Sequence, residues 1–156
     1  MDKGIVRAMH LDDLKAILEI ERDSFATPWS LEAFKAELID NEYARYLCLE
    51  LEGQVIGYMG LWFILDEGHI TNIAITPNHR GEQWGEFLMR SVMEKMVEQG
   101  MERMTLEVRV SNNPAQSLYK RLGFSIAGVR KGYYADTKED ALIMWAELGV
   151  KEVNVT

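Results

Sequence analysis

The chain has 156 residues and a mass of 17.9 kDa, the size of one ordinary domain, enough to bury about two-thirds of its unfolded surface without a metal or disulfide staple. With 47% apolar and 27% charged residues it is not a disordered chain, and one cysteine, Cys48, excludes an internal disulfide. A net charge of −8 argues against a binder of the nucleic-acid backbone, no apolar run reaches the roughly 20 residues of a membrane span, and MDKGIVRAMHLDDL lacks a signal-peptide core, so a cytoplasmic protein is expected.

Ile5–Met9 reads as a short strand. Leu14, Ile17 and Leu18, continuing into Glu21–Phe25, trace one face of a helix from Asp12 to about Phe25. Ala26-Thr27-Pro28 breaks it, and Ser30 is placed to cap a second helix through Ile39. Tyr43–Leu51 and Val55–Leu65 are strands joined by the hairpin signal Glu52-Gly53-Gln54, and His69–Ile75 is a third strand, stopped by Pro77. Cys48 lies inside a strand and reads as a small core residue.

After Pro77 comes the polar loop Asn78–Gly85, then a helix to about Gln99 whose Leu88, Met89, Val92, Met93, Met96 and Val97 give a wide buried face. Met104–Val110 is a strand, Asn113-Pro114 opens a helix with Pro at its first position, and Ile126–Tyr133 and Ala141–Leu148 close the chain as strands. The order β-α-α-β-β-β-α-β-α-β-β predicts a mixed α/β (α+β) fold, residues 1–156 forming a single domain. Its front half is antiparallel, with a β-α-β crossover and so a central parallel pair.

Three stretches could carry chemistry. The loop between Ile75 and the following helix contains Arg80, Gly81 and Gly85, and a strand–loop–helix of this kind can hold an anion on free amides and the helix dipole. It is neither a dinucleotide fingerprint nor a P-loop, and the same residues would serve as a plain connection. In the strand 104–110, Thr105, Glu107 and Arg109 share one face; a central-strand Glu107 must pair, with Arg109 or another cation, or line a cleft. Tyr119 shares a helix face with Ala115, Leu118 and Leu122, which fits a core aromatic whose hydroxyl seeks a partner. His10, His69 and His79 lie far apart with no ligand spacing, so no metal is assigned.

Charge is unevenly placed: residues 1–78 hold 6 Lys and Arg against 14 Asp and Glu, while residues 79–156 hold 11 of each. A polyanionic ligand is therefore expected on the second half and a cationic substrate near the first, although an acidic surplus also serves solubility alone.

Taken together, Asn72–Pro77, Arg80-Gly81-x-x-x-Gly85, Leu106–Arg109, Asn112-x-x-Ala115, Leu118-Tyr119 and Leu122-Gly123-Phe124 resemble the GNAT acetyltransferases over residues 3–148, essentially the whole chain. Phe25-x-x-Pro28-Trp29-Ser30 and Arg130-x-x-Tyr133-Tyr134 narrow the resemblance to bacterial enzymes that acetylate the N-terminal alanine of a small-subunit ribosomal protein. The resemblance implies acetyl-CoA as co-substrate. Backbone groups of Ile73, Ala74 and Ile75 would bind its pantetheine and acetyl, the loop Arg80, Gly81, Glu82, Gln83, Trp84, Gly85 and Glu86 its pyrophosphate, and Asn112 would also touch it. It further implies Glu107 as general base, Tyr119 as general acid, and Trp29, Tyr133 and Tyr134 along the peptide cleft. Gln83 replaces a glycine of the family's loop and, because a side chain resists positive φ, is expected to reshape it. A GNAT acting on lysine or a small amine, and a silent acyl-CoA-binding module, are the alternatives.

Overall fold

The computed structural model describes residues 3–149. In chain order these form β1 (Gly4–Ala8), a 3-10 turn (Leu11–Asp13), α1 (Leu14–Ser24), α2 (Leu31–Ile39), β2 (Ala44–Leu51), β3 (Gln54–Ile64) and β4 (Glu67–Ile75). A second 3-10 turn (Pro77–His79), α3 (Trp84–Glu98), β5 (Arg103–Arg109), α4 (Asn113–Arg121), β6 (Ser125–Arg130) and β7 (Ala141–Glu147) follow. The element types come in the expected order. Two details differ. β6 ends at Arg130, so Tyr133 lies in a loop: Gly132 turns the chain at φ +62 while its N–H donates to Asp140 Oδ1 at 2.8 Å. Pro114 is the second residue of α4, because Asn112 takes the cap and its Oδ1 accepts from the Ala115 amide at 3.2 Å.

The seven strands form one sheet in the order β1-β2-β3-β4-β5-β7-β6, antiparallel except for β4 and β5. Between β2 and β3 the turn residues Glu52 and Gly53 both have positive φ, +51 and +81, the handedness a two-residue hairpin requires. The parallel pair is short: Glu67, Gly68 and His69 oppose Arg103, Met104 and Thr105, and beyond them the two strands part.

Opposite Gly60 and Leu61, β4 carries one extra residue, Thr71, so Leu61 faces Ile70 while Gly60 faces Asn72. The bulge re-aims the strand, and Ile70 and Ile73 both reach the α3 side although they are three apart. Only glycine fits at position 60, since a Cβ would overlap the Tyr46 ring and stand 2.5 Å from Asn72 Oδ1.

Each face of the sheet has its own core. On one, Leu88, Met89, Val92 and Met96 of α3 are buried against Leu61, Ile70, Met104, Leu106 and Val108, each such side chain contributing about 1.5–3 kcal/mol. On the other, Leu14, Ile17, Ile20 and Phe34 from α1 and α2 cover Tyr46, Cys48 and Tyr58, with the Phe34 ring edge-on to both tyrosines. Cys48 is the small core residue expected, and burial pushes its thiol up to about 12. Ser30 caps α2 as expected, accepting from the Ala33 amide at 3.1 Å.

Buried Glu21 of α1 joins this second core to the loop before α2. It accepts from the Trp29 amide at 2.9 Å and from the Tyr58 hydroxyl, which in turn accepts from Asn72 Nδ2 at 3.2 Å. A buried carboxylate held by two donors fixes both groups that it touches. The helices on this face are thereby locked to the bulged part of β4.

Candidate active site

The site begins where β4 and β5 part. The Thr76 amide donates to Ile56 O at 2.7 Å, so by antiparallel alternation Ala74 and Tyr58 form the next bonded pair. The N–H and C=O groups of Ile73 and Ile75 then turn the other way, toward the gap. Of the three expected strand residues, Ile73 and Ile75 offer backbone groups there, while Ala74 bonds to β3. Arg80 Nε donates to Ile75 O at 2.9 Å and its Nη2 to Ser24 Oγ at 2.8 Å, tying the loop to the end of α1.

At this end of the gap Gly81 has φ +80 and Gln83 itself takes the left-handed conformation, φ +67 and ψ +15, immediately before α3. Gln83 thus occupies the left-handed conformation that a glycine adopts freely, and its side chain makes no capping bond. The first amides of α3 have no intrahelical acceptor and point into a cleft of about 330 Å³ lined by Ile75, Arg80, Gly81, Gly85, Leu118 and Arg121. Positive charge and unpaired amides make it suited to phosphate oxygens.

The other loop residues divide by role. Trp84 is buried, edge-on to Phe87 at 5.4 Å, and is among the residues that line the cleft. Glu86 sits between Arg90 and Arg121, each within 3.2 Å, and these arginines, Arg90 foremost, hold its carboxyl below the ordinary range. Glu82 pairs with His79 at 3.1 Å. Asn112 is exposed and uses its side-chain oxygen on the α4 cap.

Glu107 lies on the α1–α2 face of β5, its side chain 9% exposed, with Oε2 2.7 Å from His69 Nε2 and Oε1 3.5 Å from Arg130 Nε. Its partner is thus not Arg109. Residues two apart on a strand stand nearly 7 Å apart, and Arg109 reaches instead into the 132–140 loop. It binds both oxygens of Asp136 at 2.9 and 3.1 Å and Thr137 Oγ1 at 3.0 Å, and it lies 4.0 Å from the centre of the Tyr134 ring. Arg109 in this way anchors the tyrosines, whose rings meet at 5.0 Å and 90°.

Burial pushes the Tyr134 phenol up to about 12, and burial with the nearby Glu107 charge raises that of Tyr133. Tyr119 rests against Phe124 at 5.9 Å; burial lifts its phenol to about 12, and among the described residues its hydroxyl has no hydrogen-bond partner. All three phenols therefore keep their protons at neutral pH. Trp29 packs on Phe34 at 5.4 Å and belongs to the α1–α2 packing.

The structure brings His69, Glu107, Arg130, Tyr133 and Tyr134 together. His69 and Arg130 escape a reading by ligand spacing; their signal is strand register, since His69 opposes Thr105 and shares a face with Glu107, two residues further on.

A sheet parted between two parallel strands, an amide-rich anion loop at one end of the gap and a carboxylate among protonated tyrosines at the other are suited to an acyltransferase that draws on a phosphate-bearing acyl donor. Residues 14–124 match the acetyltransferase (GNAT) family, and the chain belongs to it. It is an acetyltransferase whose co-substrate is acetyl-CoA, and the gap edge of β4 and the amides before α3 fit that molecule's polar chain and phosphates. The chain is 49% identical, over 94% of its length and 97% of the relative's, to a Bacillus subtilis protein provisionally assigned as ribosomal protein bS18-alanine N-acetyltransferase. It is 34% identical to the Escherichia coli K12 enzyme of that name, over 89% of this chain and 94% of that one. The crystal structure of the ribosomal-protein-S18-alanine N-acetyltransferase from Escherichia coli superposes with a TM-score of 0.88 at 30% identity, covering 98% of this chain and 99% of the other.

Among the described residues no helix is long and apolar enough to cross a membrane, and no cluster of three or more potential metal-ligating side chains occurs.

Proposed function

We propose that this protein, acting in the cytoplasm as one catalytic domain, acetylates the N-terminal α-amine of a protein, the N-terminal alanine of a small-subunit ribosomal protein. The observation that carries this reading is the 49% identity, nearly end to end, to a relative assigned that substrate. Acetyl-CoA supplies the acetyl thioester.

The protein's part in the reaction is proton management. Only a neutral amine attacks a thioester, and an α-amine loses its proton near pH 7.7–8.0 against about 10.4 for lysine. Help from one carboxylate at neutral pH therefore goes much further on an α-amine. Glu107 supplies the base function, directly or through the His69 ring bonded to it, supported by its place in the gap with one oxygen on His69 and the other near Arg130. Tyr119 takes the role of acid: a phenol held at about 12 is protonated at every working pH and can give its proton to a thiolate whose own pKa is near 8.5. Tyr133 and Tyr134, fixed by Arg109, form the wall against which the peptide lies.

Mass spectrometry of ribosomal proteins from cells with and without the gene tests the substrate. One small-subunit protein should lose its acetylated N-terminal alanine, and an unchanged set of N-termini refutes the assignment. Thiol release with Ala-starting peptides, free lysine and polyamines separates this activity from acetylation of other amines. Acetyl-CoA binding without release on any amine would identify a silent module.

A further inference from the structure

Of the two ionisable side chains against Glu107, Arg130 is more than half exposed at 3.5 Å, while His69 is at 2.7 Å. An ionised carboxylate can only accept, so His69 Nε2 carries the hydrogen of that bond, and in the neutral ring the lone pair sits on Nδ1. Among the described residues Nδ1 has no hydrogen-bond partner, and the side chain is 39% exposed. Trp62, edge-on at 6.4 Å and itself bonded through its indole N–H to Glu37 at 2.7 Å, supports the ring from β3. The imidazole is thus fixed by two neighbours with its basic nitrogen open, whereas Glu107 is 9% exposed with both oxygens occupied. That is the division of labour in which a carboxylate orients an imidazole and the imidazole handles the proton.

We propose that His69 Nδ1, rather than Glu107 itself, accepts the proton from the attacking amine, and that Glu107 sets the ring's tautomer and stabilises the imidazolium. This rests on the amine-acetylating reading above. The amine nitrogen bonds to the acetyl carbon as the carbon–sulfur bond breaks, and one amine proton passes to Nδ1. The electron pair leaves with sulfur, which takes the proton of Tyr119, and solvent carries the imidazolium proton back to the phenolate. The ionisable groups facing this pair are Arg130 from β6, Tyr133 and Tyr134 from the loop after it, Glu37 of α2 behind Trp62, and Glu67 on the ring's own strand.

The test compares His69→Gln with Glu107→Gln. His69→Gln should lower kcat about 10²–10³-fold with acetyl-CoA affinity unchanged, the deficit shrinking as pH rises toward 9 and solvent supplies neutral amine. Glu107→Gln, which keeps the imidazole, should lose less, and the double variant should be no worse than His69→Gln. His69→Gln within threefold of wild type beside a hundredfold loss in Glu107→Gln would overturn the proposal and make Glu107 the direct base. No loss in either would overturn it together with the base assigned to Glu107. Long-range proton–nitrogen NMR of the three histidines, His69 being identified by its absence in His69→Gln, needs no turnover. It should show the Nε2–H tautomer in the wild type and a mixture in Glu107→Gln, while a wild-type Nδ1–H tautomer refutes the proposal. If the wild type acetylates some other amine and no protein N-terminus, the substrate assignment fails, and the same variants scored on that amine still decide between His69 and Glu107.

Discussion

Replacing Gln83 by glycine is expected to leave the fold equal or firmer and acetyl-CoA binding equal or tighter. At φ +67 and ψ +15 the wild-type side chain sits in the left-handed region, which costs a residue with a Cβ roughly 1–2 kcal/mol. Glycine removes that cost but adds about 0.5–1 kcal/mol of freedom to the unfolded chain. The net is a gain of about 0–1.5 kcal/mol, or up to about 6 °C in Tm at 2–4 °C per kcal/mol for a chain of this size. Gln83 makes no capping bond, so nothing is lost on the protein side. Two further variants sharpen the sign. Gln83→Asn, which tolerates this conformation, should stay near wild type, and β-branched Gln83→Val should lose more than 1 kcal/mol. Thermal unfolding with titration calorimetry of acetyl-CoA checks both quantities. A drop of more than fivefold in affinity in Gln83→Gly, its Tm unchanged, would mean that the Gln83 side chain contacts the co-substrate and would refute an amide-only loop.

Tyr119→Phe keeps the ring on Phe124 and removes only the donor, so kcat should fall about 10²–10⁴-fold with Tm and acetyl-CoA affinity nearly unchanged; turnover within threefold of wild type would exclude Tyr119 as the acid. Arg109→Met releases the 132–140 loop from Asp136 and Tyr134 and should raise KM for the acceptor peptide about 3–30-fold while leaving acetyl-CoA binding intact, as a peptide titration will show. Asp13, whose carboxyl is held at about 2 by Arg7 against an ordinary 3.8, contributes stability that is complete above pH 4 and lost as pH falls through 2. By linkage this amounts to about 2 kcal/mol, so Asp13→Asn should be that much less stable in urea at pH 7, with the gap from wild type closing toward pH 2.

What could be read from sequence alone divides by range. Element types follow from local periodicity, and Met104–Val110 alternates clearly enough to put Glu107 and Arg109 on one face before any fold is known. Their partners do not follow, because each depends on which strand lies alongside and in what register. His69 reaches Glu107 only because three residue pairs of β4 and β5 align before the strands part. Arg109 finds Asp136 because Gly132 turns the chain early and folds the loop back over β5. The sequence likewise announces Gln83 as a departure, while its conformation is set by the geometry joining β4 to α3, which overrides the residue's own preference.

The uneven charge says more once the pairings are known. On the first half four of the fourteen acids are held by named donors in or beside the α1–α2 core: Asp13 and Glu50 by Arg7, Glu21 by Tyr58 and the Trp29 amide, Glu37 by Tyr46 and Trp62. These bonds satisfy the carboxylates without neutralising them, since only Arg7 among those donors is a cation. The α1–α2 side therefore keeps a negative field that repels phosphates and draws a protonated amine inward. On the second half Arg80 and Arg121 line the cleft at the start of α3, where Arg121 shares Glu86 with Arg90. The two ends of one gap thus carry opposite fields, which fixes the direction in which an anionic donor and a cationic acceptor can enter. On the function proposed above they meet where β4 and β5 part, beside His69 and Glu107.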